Sequence, residues 1–155
     1  MSASKIFKSL FRKEELISIF SEHISGSSAV GLDRIRPIHF QKNLTLEVTG
    51  ICDRVAKGNY KFTSYKQKLI SKGVNSLPRV ISIPTVRDRI TLRTICNFLS
   101  KLYPHITTEI PQVKITSLKS ALETKTYNSF IKIDLSSFYT SIEQDILIRV
   151  LKRKI

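Results

Sequence analysis

The chain has 155 residues and carries 26 Lys+Arg against 12 Asp+Glu, a formal charge of +14, with a sequence pI near 10.0. Hydrophobic residues make up 41%, enough for a core, which excludes a basic disordered tail. A surplus of this size repels itself unless a polyanion neutralises it, so phosphate is the expected partner class.

Cys52 and Cys96 lie far apart, with no CxxC and no histidine pair, so neither a zinc site nor a disulfide framework is indicated, and a reducing cytoplasm is expected. No apolar run approaches the ~18–20 residues a spanning helix needs. The basic opening Met1–Phe20 has the amphipathic look of a transit peptide, but Glu14 and Glu15 interrupt it and no small-residue cleavage site follows, so it is read as a folded helix.

In chain order, Ile6, Phe7, Leu10, Phe11, Ile17, Phe20 and Ile24 keep helical spacing and predict one amphipathic helix ending at Ser25-Gly26-Ser27-Ser28. Phe40, Leu44, Val48, Ile51 and Val55 predict a second, bent near Gly50, with Gly58 as its C-cap glycine. Tyr60 and Phe62 alternate with polar neighbours, and Arg79-Val80-Ile81-Ser82-Ile83 is a β-branched run closed by Pro84. These predict two paired strands around a basic loop containing Gly73, Asn75 and Pro78. A third helix is expected from Val86 to Leu102, stopped by Pro104. A short helix is expected around Leu118–Leu122, then a strand Phe130–Leu135 with Ile131, Ile133 and Leu135 on one face, then a last helix through Glu143, Ile146, Leu147, Val150 and Leu151.

Between Arg54 and Tyr103 stand eleven basic residues and one acid, Asp88, so most of the surplus charge falls in a third of the chain. A solvated charged face is the ordinary explanation of a charge run, but so one-sided a run makes a field that attracts a nucleic-acid backbone or a triphosphate. Asp134, at the end of a β-branched run, is suited either to hold Mg²⁺ or to turn a strand into a loop. A two-metal site needs a cluster of carboxylates, and downstream only Glu143 and Asp145 follow.

Several stretches together resemble the reverse transcriptases of bacterial retrons, group II introns and related antiviral-defence systems. Gly31-Leu32-Asp33-Arg34-Ile35 resembles the family's G-x-D-G-[IV] signature, with Arg34 where glycine is usual. Tyr60-Lys61-Phe62 is similar to the strand opening the fingers. Arg79-Val80-Ile81-Ser82-Ile83-Pro84-Thr85-Val86-Arg87-Asp88-Arg89-Ile90 closely resembles the fingers motif R-x-[LI]-x-I-P-T-V-x-D-R-[IV]. The stretch from Phe130 to Ile142 is similar to palm motif A, D-[LI]-x-x-F-[FY]-x-x-I.

The resemblance implies an α+β fold: an N-terminal helix over 1–28, a fingers subdomain of helices and a β-hairpin over 29–128, and the first strand and helix of a palm over 129–155. It implies that Asp134 is a catalytic, metal-binding aspartate with the carbonyl of Leu135 beside it, and that Tyr139 stands where the family's steric gate rejects a ribose 2′-OH, core packing being the alternative. Arg79 would contact the incoming triphosphate, a role suited to a planar guanidinium. Lys72 would be the fingers lysine, with Lys68 as the alternative. Lys66, Lys68, Arg87 and Arg89 fall on the nucleic-acid side, although Arg87 also reads as a surface cation and Arg89 as a structural partner of Asp88. Partners implied are an RNA template, a DNA primer, a deoxynucleoside triphosphate and, with Mg²⁺ in the complete palm, a further palm and thumb; no membrane is expected. The 155 residues contain no Y-x-D-D, so the expectation is the N-terminal, truncated part of an RNA-directed DNA polymerase, inactive alone. The alternative is a non-catalytic basic RNA-binding module or a remnant.

Overall fold

The structure, a computed structural model, describes residues 2–74, 77–106, 110–124, 129, 131–136 and 138–154. These residues form an α+β chain of seven α-helices and one antiparallel hairpin. It divides into two compact units, Met1–His105 and Ile106–Ile155.

The first unit opens with two helices where the spacing predicts one: α1 (Ala3–Leu10) and α2 (Lys13–His23), with Phe11 and Arg12 between them. A single helix continued past Phe11 would turn Glu14 and Glu15 toward the apolar stripe. Broken at Arg12, the chain instead places both glutamates in the first turn of α2, where the helix dipole favours negative charge. The break also lets the two apolar faces diverge, α1 packing on the later helix α5 (Val86–Leu102) and α2 on both α5 and α4 (Leu44–Ala56).

The second predicted helix is likewise two, α3 (Pro37–Lys42) and α4, and the interruption is at Asn43, not Gly50, which lies inside α4. The expected cap is present. Gly58 has φ +66, its N–H donates to the Val55 carbonyl, and the Asn59 N–H donates to that of Arg54, the paired bonds of a Schellman end that an L side chain would strain.

β1 (Lys66–Ile70) pairs antiparallel with β2 (Arg79–Ile83), from Lys66 opposite Ile83 to Ile70 opposite Arg79. The strand expected at Tyr60–Phe62 is therefore displaced toward the C-terminus. In this register the residue before Lys66 would face Pro84, which has no N–H to extend the ladder. Tyr60 and Phe62 instead meet edge to face, ring centroids 5.2 Å apart, at the hairpin's root. Asn75 of the connecting loop lies outside the described residues. α5 follows β2 directly and occupies the expected span.

The core gathers Leu16, Ile19, Phe20 and Ile24 with Phe40, Val48, Ile51, Val86 and Ile90, nine side chains drawn from four helices and the end of α2. Leu10 and Phe98 extend it along α5, and Phe7 meets Phe98 edge-on at 5.4 Å. These contacts make a helical platform, while every residue of β1 and three of five in β2 remain exposed.

The second unit contains α6 (Pro111–Glu123), a 3₁₀ turn (Phe138–Ser141) and α7 (Gln144–Lys154). α6 is longer than the short helix expected around Leu118–Leu122, because Pro111 supplies a pre-organised first turn well upstream of Leu118. On its exposed side Lys119 pairs with Glu123 one turn later, at 3.8 Å.

The strand expected at Phe130–Leu135 is absent among the described residues: 131–135 joins no helix or sheet ladder, and Phe130 lies outside them. A strand exists through its ladder, and among the described residues of this unit there is no second strand for 131–135 to join. Ile131 and Ile133 are accordingly 87% and 82% exposed, and Leu135, Ile146 and Val150 are exposed as well. The last helix is present, beginning at Gln144.

Candidate nucleic-acid interface

Residues opposite each other in an antiparallel pair share a face, and alternate residues along a strand return to it. The register therefore puts Lys66, Lys68 and Arg79 on one face of the hairpin, with Ile70, Ile81 and Ile83 among them. Lys68 and Arg79 are diagonal neighbours, with backbones roughly 7–8 Å apart. Lys72 lies in the connecting loop and is exposed. None of these four cations has an ion-pair or hydrogen-bond partner among the described residues.

Asp88, the single acid of the basic segment, does not neutralise them. It is 1% exposed, and its carboxylate accepts from the Tyr60 hydroxyl at 2.8 Å, the Thr63 N–H at 3.0 Å and the Thr85 hydroxyl at 3.0 Å. Thr85 is also the N-cap of α5, its Oγ1 accepting from the Asp88 N–H at 3.2 Å. Burial, reinforced by the Asp88 charge beside it, raises the Tyr60 phenol well above its ordinary range.

Arg87 and Arg89, expected toward nucleic acid, have intramolecular partners. Arg87 makes a two-pronged contact with one carboxylate oxygen of Glu47 on α4, at 3.1 and 2.6 Å, so it is not a free surface cation. Arg89 is structural, but its partners are not Asp88: it donates to the Ser27 hydroxyl at 2.9 Å and the Ala29 carbonyl at 3.0 Å, holding the 27–35 loop against α5. Its Nε is buried without a hydrogen-bond partner among the described residues, and burial lowers the guanidinium pKa.

That loop approaches the hairpin's exit closely. A Cβ on Gly31 would stand 2.7 Å from Thr85 Cα and 2.9 Å from its nitrogen. The turn following it is closed by the Arg34 N–H donating to the Gly31 carbonyl at 3.3 Å and the Ile35 N–H donating to Asp33 Oδ1 at 3.1 Å. Arg34 has φ 59, the left-handed conformation that glycine adopts most cheaply.

In the second unit, Asp134 and Leu135 are exposed, and Tyr139 is exposed on the 3₁₀ turn with its ring 5.3 Å from that of Phe138, so it is not packed in a core. Ser137 of the same stretch lies outside the described residues. No group of three or more His, Cys, Asp or Glu able to hold a metal occurs among the described residues. Asp134 with one carbonyl does not by itself fit a two-ion magnesium site, which needs several anions.

Sequence reasoning missed Tyr60, Thr63 and Thr85 as the partners of Asp88, and Glu47 as that of Arg87. The Thr85-x-x-Asp88 spacing is a recognisable capping pattern; the others meet across 25 to 40 residues and have no local signature. No helix among the described residues is long and apolar enough to cross a membrane. Comparison with protein-family models gives no match, and comparison with curated proteins gives none.

Proposed function

We propose that this chain is the fingers portion, with the beginning of the palm, of an RNA-directed DNA polymerase, and that its hairpin binds the phosphates of a template–primer duplex or an incoming deoxynucleoside triphosphate. The observation that carries this reading is the projecting hairpin with Lys66, Lys68 and Arg79 on one face, Lys72 in its loop, and the neighbouring acid buried beneath it. The left-handed Arg34, at the position where the resembled signature has glycine, also supports it. Catalysis requires carboxylates that these 155 residues do not contain as a Y-x-D-D pair. In the complete site Asp134 and the Leu135 carbonyl would help hold Mg²⁺, which supplies charge stabilisation to phosphoryl transfer.

Two measurements test the proposal. Fluorescence anisotropy of an RNA–DNA duplex should give salt-dependent binding whose log–log slope shrinks by roughly 0.7–0.9 for each phosphate-contacting residue changed to Gln among Lys66, Lys68, Lys72 and Arg79. Primer extension, with a polypeptide carrying the remaining palm supplied in trans, should be abolished by Asp134→Ala. Activity indifferent to Asp134→Ala removes the enzyme reading and leaves a basic RNA-binding module, which the hairpin supports without any metal.

A further inference from the structure

The hairpin is held at its base. Neither strand packs extensively on a helix, all of β1 is exposed, and the cationic face therefore takes its direction from the two places where the hairpin joins the platform. The chain enters β1 after Tyr60 and Thr63, and leaves β2 through Pro84 and Thr85. Both junctions converge on one carboxylate. Asp88 Oδ1 accepts from Tyr60, while Oδ2 accepts from the Thr63 N–H of the entering segment and the Thr85 hydroxyl of the leaving one.

We infer that Asp88 is a positioning residue that sets the orientation of the cationic hairpin on the helical platform, by tying its entering and leaving segments to the first turn of α5. Three features make this more than helix capping. A cap needs only the Thr85–Asp88 exchange, yet the carboxylate also reaches residues 25 and 28 positions away. The platform beneath is rigid, since Val86 and Ile90, flanking Asp88, are fully buried in the core. On the leaving side, the close approach of Gly31 to Thr85 prevents the junction from shifting toward the 27–35 loop. A buried carboxylate shared between two junctions resists motion of either one, because any displacement leaves a buried donor or acceptor unpaired.

The orientational role does not depend on what the hairpin binds; only its consequence for duplex affinity rests on the proposed function. Spin labels on Gln67→Cys in β1 and on the native, exposed Cys96 of α5, in a Cys52→Ala background, report the hairpin–platform distance by pulsed electron resonance. Asp88→Asn, which keeps one acceptor oxygen, should broaden the distance distribution, and Asp88→Ala should broaden it at least twofold, with cooperative unfolding of the helices retained. Duplex affinity should fall roughly threefold or more, in proportion to the fraction of time the hairpin holds its binding orientation. A folded Asp88→Ala protein with a distribution as narrow as wild type overturns the inference. If that variant does not fold, Tyr60→Phe, which removes one donor to the carboxylate, decides by the same criterion. Broadening without loss of affinity upholds the positioning role and counts against the nucleic-acid reading.

Discussion

Gly31→Ala places a methyl group where the structure has no room for one. The new Cβ would lie 2.7 Å from Thr85 Cα, 2.9 Å from Thr85 N and 3.1 Å from the Pro84 carbonyl oxygen. All three are backbone atoms of a junction fixed by a proline ring, a helix cap and the Asp88 carboxylate, so a rotamer change cannot relieve the contact. Restoring ordinary van der Waals separation requires the loop to withdraw by roughly 0.8 Å, which would stretch the Arg89 bonds to Ser27 and Ala29 beyond useful hydrogen-bond length. Overpacking of this kind costs about 1–3 kcal/mol, and weakening hydrogen bonds from a charged donor adds about 1–2 kcal/mol. The loss of chain freedom in the unfolded state returns about 0.4–1 kcal/mol. The net expectation is a destabilisation of about 2–3 kcal/mol, read as a lower urea midpoint at unchanged slope. Gly26→Ala is the control: nothing lies within 4 Å of its added Cβ and its φ is not left-handed, so it should be neutral or slightly stabilising. Equal midpoints for the two variants would refute the reasoning.

Arg34→Gly should raise stability by about 0.5–1 kcal/mol, because it relieves a left-handed backbone at an exposed position; denaturant titration measures it, and a loss of stability would contradict the strain. Tyr60 has a phenol pKa raised above its ordinary 10.0, so the native state holds that proton more tightly than the unfolded chain. Its contribution is fully present below about pH 10 and is lost as pH rises through the folded value. Thermal melts through the alkaline range should therefore decline more steeply for wild type than for Tyr60→Phe. Iodoacetamide should modify exposed Cys96 well before Cys52, whose thiol is packed against the core and raised in pKa by burial; peptide mass spectrometry gives the order, and equal rates would contradict the placement of α4.

Much of the fold was legible in the sequence. The span of α5 followed from its apolar spacing and from the two prolines beside it, and the Gly58 cap followed from the need for a left-handed residue after α4. The helix breaks at Arg12 and Asn43 were less legible: Leu10 to Ile17 and Phe40 to Leu44 keep helical spacing across them, Glu14 and Glu15 are the local sign of the first, and the diverging packing of the flanking helices is what separates them. Tyr60-Lys61-Phe62 alternates like a strand, but alternation reports only which side chains share a side. Whether such a segment pairs depends on its partner, and here Pro84 ends the ladder at Lys66.

The candidate site divides in the same way. Its charge was readable from composition: a concentration of Lys and Arg with one acid makes a positive field however the chain folds, because Coulomb's law needs charge and proximity before it needs geometry. Which cations remain available was decided in three dimensions. Arg87 and Arg89 are as basic as Arg79, yet Glu47 and the 27–35 loop engage them while Arg79 stays open. The sequence by itself determined the net charge, which is a sum over its side chains, and the helix-forming segments and the turn at Gly58, which depend on neighbours within a few residues. Only the tertiary structure decided that Asp88 is buried beneath the basic hairpin instead of neutralising its surface, because a buried carboxylate is tolerated only where distant donors such as Tyr60 and Thr63 are brought to it.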